Sequence, residues 1–141
     1  MKAKTIISLI IMTTFFLFSN TTKENEWKLF KSIDGINIYT QVREYQANNV
    51  TKNYLIFKYE NTNNTAKVVN WRLDLWYNGV CRACNLPSPN EYELTLTLDK
   101  GEVITGKVDS ESKIFSVFYS STSEALAPLD KFELTNLTVK N

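Results

Sequence analysis

Residues 67–77 place Val69, Trp71, Leu73, Leu75 and Tyr77 at alternate positions, with Asn70, Arg72, Asp74 and Trp76 between them. A period of two puts all five apolar side chains on one face of an extended strand. At about 100° per residue, a helix would scatter them around its circumference. The same alternation recurs at residues 53–60 (Leu55, Phe57, Tyr59) and at residues 91–98 (Tyr92, Leu94, Leu96, Leu98). No long helical period and no internal repeat interrupts it. The chain therefore reads as all-β.

Turn signals divide it into strands. Asp34-Gly35 separates residues 27–33 from residues 36–42, and an aspartate–glycine pair suits a two-residue hairpin with positive φ at both positions. In the returning strand Ile36, Ile38 and Thr40 share one face. Residues 43–52 read as a polar connection, 61–65 as a turn, and 78–90 as a loop holding both cysteines. Further strands are expected at 103–107, 113–119 and 129–139. In the last of these Phe132 and Leu134 have one parity and Leu137 and Val139 the other, which a β-bulge near Asn136 would reconcile. In residues 53–60 and 67–77 the alternation predicts one dry and one wet face, with Tyr54, Ile56 and Lys58 on the wet side.

About eight strands of this kind need two sheets packed face to face to cover their apolar sides. The 43% hydrophobic and 13% aromatic content can supply one core, and 141 residues suit one domain. The expected fold is an antiparallel β-sandwich of about 7–9 strands.

The N-terminus is a targeting signal by pattern. Lys2 and Lys4 precede an apolar run over residues 5–18, followed by small polar residues. That is the layout of a secretory signal peptide, and the run is short of the roughly 20 residues that span a bilayer. Residues 1–20 are assigned to it, with cleavage between Ser19 and Thr22, and residues 21–141 to a single domain without a transmembrane segment. Removing Lys2 and Lys4 from the 16 basic residues leaves 14 against 15 acidic ones, a net charge of −1. No basic patch forms, so nucleic acid is not an expected partner.

Chemistry is restricted by the absence of histidine. Ser-His-Asp and Cys-His catalysis are excluded, and the commonest metal ligand is missing. The most specific feature is Cys81-Arg82-Ala83-Cys84. In an exported chain it reads first as a disulfide that stiffens the loop. Closing about four residues contributes only about 2 kcal/mol of chain entropy. A redox pair would call for a helix start, which Asn85-Leu86-Pro87-Ser88-Pro89 does not supply. Zinc would call for four ligands, and one pair supplies two. No metal or other cofactor is expected.

Trp76, Tyr77, Tyr92 and Tyr119 could stack a sugar or a peptide, or simply pack on a sheet face. The parity of Trp76 places it with Arg72 and Asp74 beside the cysteine loop. The candidate binding surface is therefore Trp76, Arg72, Asp74, Arg82 and Tyr92. The carboxylate pairs Glu91/Glu93, Asp99/Glu102 and Asp109/Glu111 lack any supporting catalytic set, and glycines at 35, 79, 101 and 106 form no phosphate loop.

Trp71 in mid-strand resembles the buried Trp on the third strand of immunoglobulin-like domains, and this resemblance implies an immunoglobulin-like antiparallel β-sandwich, although the cysteines here share one loop instead of bridging two sheets. Residues 54–60, 71–84 and 132–139 resemble small exported β-sandwich proteins of Bacteroidota-type bacteria. That resemblance implies fold and location but no activity. The expected function is that of a non-catalytic, exported protein-interaction domain or accessory subunit of the cell envelope, periplasmic, outer-membrane-associated or extracellular. A carbohydrate- or small-ligand-binding module is the alternative.

Overall fold

A computed structural model describes residues 26–84, 91–123 and 125–141. The signal peptide assigned to residues 1–20 lies outside them. Among the described residues there are nine strands and no helix. β1 (Lys28–Ile33), β2 (Ile36–Ala47) and β3 (Val50–Asn61) form an antiparallel meander. β7 (Val103–Thr105) and β8 (Ser116–Ser121) pair in succession along the free edge of β3 and complete sheet A. Sheet B is built around β4 (Lys67–Tyr77). β6 (Glu93–Leu98) and the two-residue β5 (Val80–Cys81) share one edge of β4, and β9 (Leu129–Lys140) runs along the other.

The two sheets share one apolar core, as the alternation requires. Ile36, Ile38, Leu55, Phe57 and Tyr59 from sheet A meet Val69, Trp71, Leu73, Leu75, Leu94 and Leu98 from sheet B. The rings of Tyr59 and Trp71 lie 5.4 Å apart across the interface. A fully buried Leu, Ile or Phe contributes about 1.5–3 kcal/mol, so this set dominates stability. The Tyr59 hydroxyl finds the Ile114 carbonyl at 2.6 Å, and burial pushes its pKa well up.

The Asp34-Gly35 turn has the positive φ values expected of it, 46° and 75°. A bulge sits where the parity of β9 changes: the register with β4 shifts between Asn70 and Arg72, and Asn136 has φ +52°.

Two expectations are corrected. Residues 43–52 are not a connection. β2 continues to Ala47 and β3 begins at Val50, and Asn48-Asn49 forms a second two-residue hairpin with φ of 50° and 61°. Asparagine tolerates this region because its short amide can bond locally. The outer face of β3 is also not wet along its length, since Tyr54 and Ile56 are buried. Ile56 is flanked by Gln41 and Ser116 on the neighbouring strands, and the Tyr54 hydroxyl donates to Asp109 at 2.8 Å. The polar segment between β7 and β8 folds back to reach it.

Candidate functional site

The outer face of sheet B gathers most of the residues singled out from the sequence. β4 turns Arg72, Asp74 and Trp76 outward by the alternation that turns Trp71, Leu73 and Leu75 inward. After Tyr77 the chain reverses at Asn78-Gly79, with φ of 52° and 71°. β5 returns with Cys81 opposite Trp76, and Cys81 is bonded to Cys84 with their Cα atoms 5.6 Å apart. The remainder of the expected loop, residues 85–90, lies outside the described residues.

Arg72 and Asp74 fasten this short loop to the sheet. The Arg72 guanidinium donates to the Ala83 carbonyl, and the Arg82 amide donates to Leu75 O at 2.8 Å. Ala83, between the cysteines, is completely buried. The Asp74 carboxylate accepts from Arg72 Nε at 3.1 Å and from Thr135 Oγ1 of β9 at 3.1 Å. Glu93 of β6 lies 3.6 Å from Arg72. With Asp74 only 7% exposed, removing Arg72 would leave a buried charge, a change that typically costs about 3–5 kcal/mol. Two shallow depressions meet at Arg72. One, of about 390 Å³, is lined by Asn70, Glu93, Thr95 and Asn136. The other is lined by Asp74, Cys84, Thr135 and Asn136.

The other candidates divide. Trp76 is on this face but not bare: Lys131 Nζ lies 4.6 Å above its ring and also meets Glu133 at 2.6 Å. Arg82 is exposed beside the disulfide. Tyr92 does not join them. It packs against the core from the opposite face of sheet B, with Lys113 Nζ 5.0 Å from its ring. Tyr77 stacks on Phe118, and burial pushes its hydroxyl up to about 12. Tyr119 belongs to sheet A, so the four aromatics form no common platform. Four of the paired carboxylates are engaged within the fold: Glu91 meets Lys113 at 2.5 Å, Glu93 faces Arg72, Asp109 accepts from Tyr54, and Glu102 caps the amide of its pair mate Asp99 at 2.7 Å.

Two features escaped the sequence reading. On the outer face of sheet A, Lys58 Nζ lies 5.0 Å from the Trp27 ring and 4.2 Å from the Tyr39 ring. Beside it Glu60 accepts from Asn37 and from the Tyr39 hydroxyl, bonds that hold its carboxyl below the usual range and push Tyr39 up. Asn37 and Tyr39 stand opposite Glu60 and Lys58 in the ladder, so the cluster becomes legible only once the register is fixed.

The second feature is β9. It is twelve residues long, and among the described residues its one ladder partner is β4. Phe132, Leu134, Leu137 and Val139 pack against the core yet stay partly exposed, whereas Val69, Trp71, Leu73 and Leu75 on β4 are at most 3% exposed. Phe30, the extra residue of a bulge in β1, lies 4.7 Å from the Phe132 ring and is itself 40% exposed.

Comparison of the chain with protein-family models, with curated proteins and with solved structures finds no match.

Proposed function

We infer that this is an exported protein-interaction domain of the cell envelope, which takes up an extended segment of a partner protein along the outer edge of β9. The carrying observation is that edge: twelve residues of strand with, among the described residues, one ladder partner and four apolar side chains left partly uncovered. Open strand edges present unpaired backbone N–H and C=O groups, and an added strand satisfies them. The occupant this selects has an extended backbone with apolar side chains at alternate positions. The bulge at Asn136 breaks the edge into two short runs, which disfavours indiscriminate pairing.

The strand order supports the immunoglobulin-like reading. β2, β3 and then β7–β8 are neighbours in one sheet and β4 and β9 in the other, as strands A, B, E and C, F are in such sandwiches, with Trp71 in the place of the strand-C tryptophan. In that scheme a further strand flanks β9. The disulfide and the basic-then-apolar N-terminal sequence support export. The carbohydrate alternative draws less support, because Lys131 occupies the face of Trp76 that a sugar would stack on.

The test is photo-crosslinking from position 134, and separately from position 76, in envelope fractions of the host. The expected result is one partner segment captured from position 134, and slowed amide exchange in β9 when that segment is added as a synthetic peptide. Capture from position 76 with no protection of β9, or capture of a second copy of this chain alone, would overturn the reading.

A further inference from the structure

The cysteine pair lies on the outer face of sheet B, where Cys84 shares a depression with Thr135 and Asn136 of β9, and has its own chemistry. Its ring spans a sequence separation of 3, and the domain core lies on the opposite face of β4. Little chain entropy holds so small a ring closed, at about 2 kcal/mol for about four residues.

Two groups around the pair favour the reduced form. The Cys84 backbone N–H donates to Cys81 Sγ at 3.0 Å. The Arg72 guanidinium, a fixed positive charge, is bonded to the Ala83 carbonyl inside the ring. Asp74 holds Arg72 there from the other side, although its own negative charge, within 4.8 Å of both sulfurs, works against a thiolate. Amide donors and cations stabilise a thiolate and lower its pKa, and a disulfide whose reduced form is stabilised is an oxidant. The two sulfurs are not equivalent, since Cys84 lines the depression with Asp74, Thr135 and Asn136, whereas Cys81 receives the amide bond.

We propose that Cys81–Cys84 is an exchangeable disulfide that accepts two electrons from the dithiol of a protein substrate. A substrate thiolate attacks Cys84 Sγ from the depression. The Cys81–Cys84 bond breaks and its electron pair goes to Cys81 Sγ, where the Cys84 amide receives it. The second substrate thiol loses its proton and attacks the substrate sulfur of the mixed disulfide, and Cys84 leaves as a thiolate. The products are a substrate disulfide and the Cys81 and Cys84 thiols, which carry the two protons given up by the substrate.

A cation site is the competing use of these atoms, because the Asp74 oxygen and both sulfurs lie within 4.8 Å of one another. The contacts oppose it, since both Asp74 oxygens are already engaged, by Arg72 and by Thr135, and the guanidinium sets a positive charge beside the sulfurs.

Equilibration of the native protein in glutathione buffers tests the proposal, with alkylated thiols counted by mass. A structural disulfide lies at least about a hundredfold toward the oxidised form relative to the glutathione pool, whereas an exchange pair is expected within about tenfold of it. The reduced protein should keep its circular dichroism and show thiolate absorbance at a pH below the usual cysteine range. Acid quenching during reduction should find glutathione on Cys84. Arg72→Lys should shift the equilibrium toward the oxidised form and raise the thiolate's pKa, effects that a merely structural role would not produce in a folded variant. A pair that stays oxidised until the domain unfolds would overturn the proposal, and so would glutathione trapped on Cys81.

Discussion

Replacing Asn61 by alanine should cost more than any other exchange of a single polar side chain for alanine in the turns. Asn61 ends β3 and is 1% exposed. Its Nδ2 group donates to Thr65 O at 2.9 Å, Leu98 O at 3.2 Å and Asp99 O at 2.9 Å. Its Oδ1 accepts from the Asn63 amide at 2.9 Å and from Asn63 Nδ2 at 3.0 Å. Leu98 ends β6, so one side-chain amide joins the last residue of β3 in sheet A to the end of a strand in sheet B. Alanine orphans the buried Leu98 carbonyl, at about 1–3 kcal/mol. The other partners lie nearer solvent, and losing their bonds costs roughly 0.5–1.5 kcal/mol each before water replaces them. The expected loss is about 3–4 kcal/mol, a large share of the 5–15 kcal/mol typical of a domain. Urea unfolding followed by tryptophan fluorescence would show it as a lower midpoint with an unchanged slope. Asn61→Asp keeps the shape but turns a carboxylate oxygen toward three carbonyls. It should be worse than alanine at neutral pH and recover as pH falls, because the neutral acid again offers a donor. An alanine variant that loses under about 1 kcal/mol, or an aspartate variant without this recovery, would refute the reasoning.

Gly106→Ala should destabilise the domain by roughly 1–3 kcal/mol in the same assay, because a Cβ there would lie 2.2 Å from the Phe115 carbonyl, where β7 and β8 converge on β3. Alkaline pH should unfold the protein: burial pushes Tyr54 and Tyr77 up to about 12 and Tyr59 up as well, whereas unfolded tyrosines titrate near 10. With folded pKa values raised, this stability is complete below pH ~10 and is lost as pH climbs toward the folded values, at up to about 1.4 kcal/mol per pH unit for each tyrosine. Absorbance at 295 nm and tryptophan fluorescence should therefore change together, and separate transitions would count against it. Lys131→Ala should shift Trp76 emission to the red at a cost of about 0.5–1 kcal/mol, since it uncovers the ring face without touching the core.

What the sequence made legible follows from how local each signal is. The alternation over residues 67–77 needs no partner to be read, and Val69, Trp71, Leu73 and Leu75 are buried as it requires. Asp34-Gly35 carries its turn in two residues, and the change of parity around Asn136 announces the bulge within one strand. The failures share the opposite property. Asn48-Asn49 turns because strands on both sides are already committed to pairing, and nothing in the polar run Arg43, Glu44, Gln46 says so. Ile56 and Tyr54 are covered by neighbouring strands and a folded-back segment far away in sequence, so alternation alone leaves them wet. Asn61 looked like ordinary turn polarity until Leu98 from the other sheet arrived beside it.

The candidate site shows the same division. Parity placed Arg72, Asp74 and Trp76 together, but it cannot say that Arg72 reaches the Ala83 carbonyl or that Lys131 from β9 closes over Trp76. Those contacts change the roles of the residues. Arg72 and Asp74 become the clamp that holds the short disulfide loop, and Cys84 is the sulfur that lines the depression beside them. The partner binding we propose rests on a strand edge, a property of topology that no residue of β9 displays by itself.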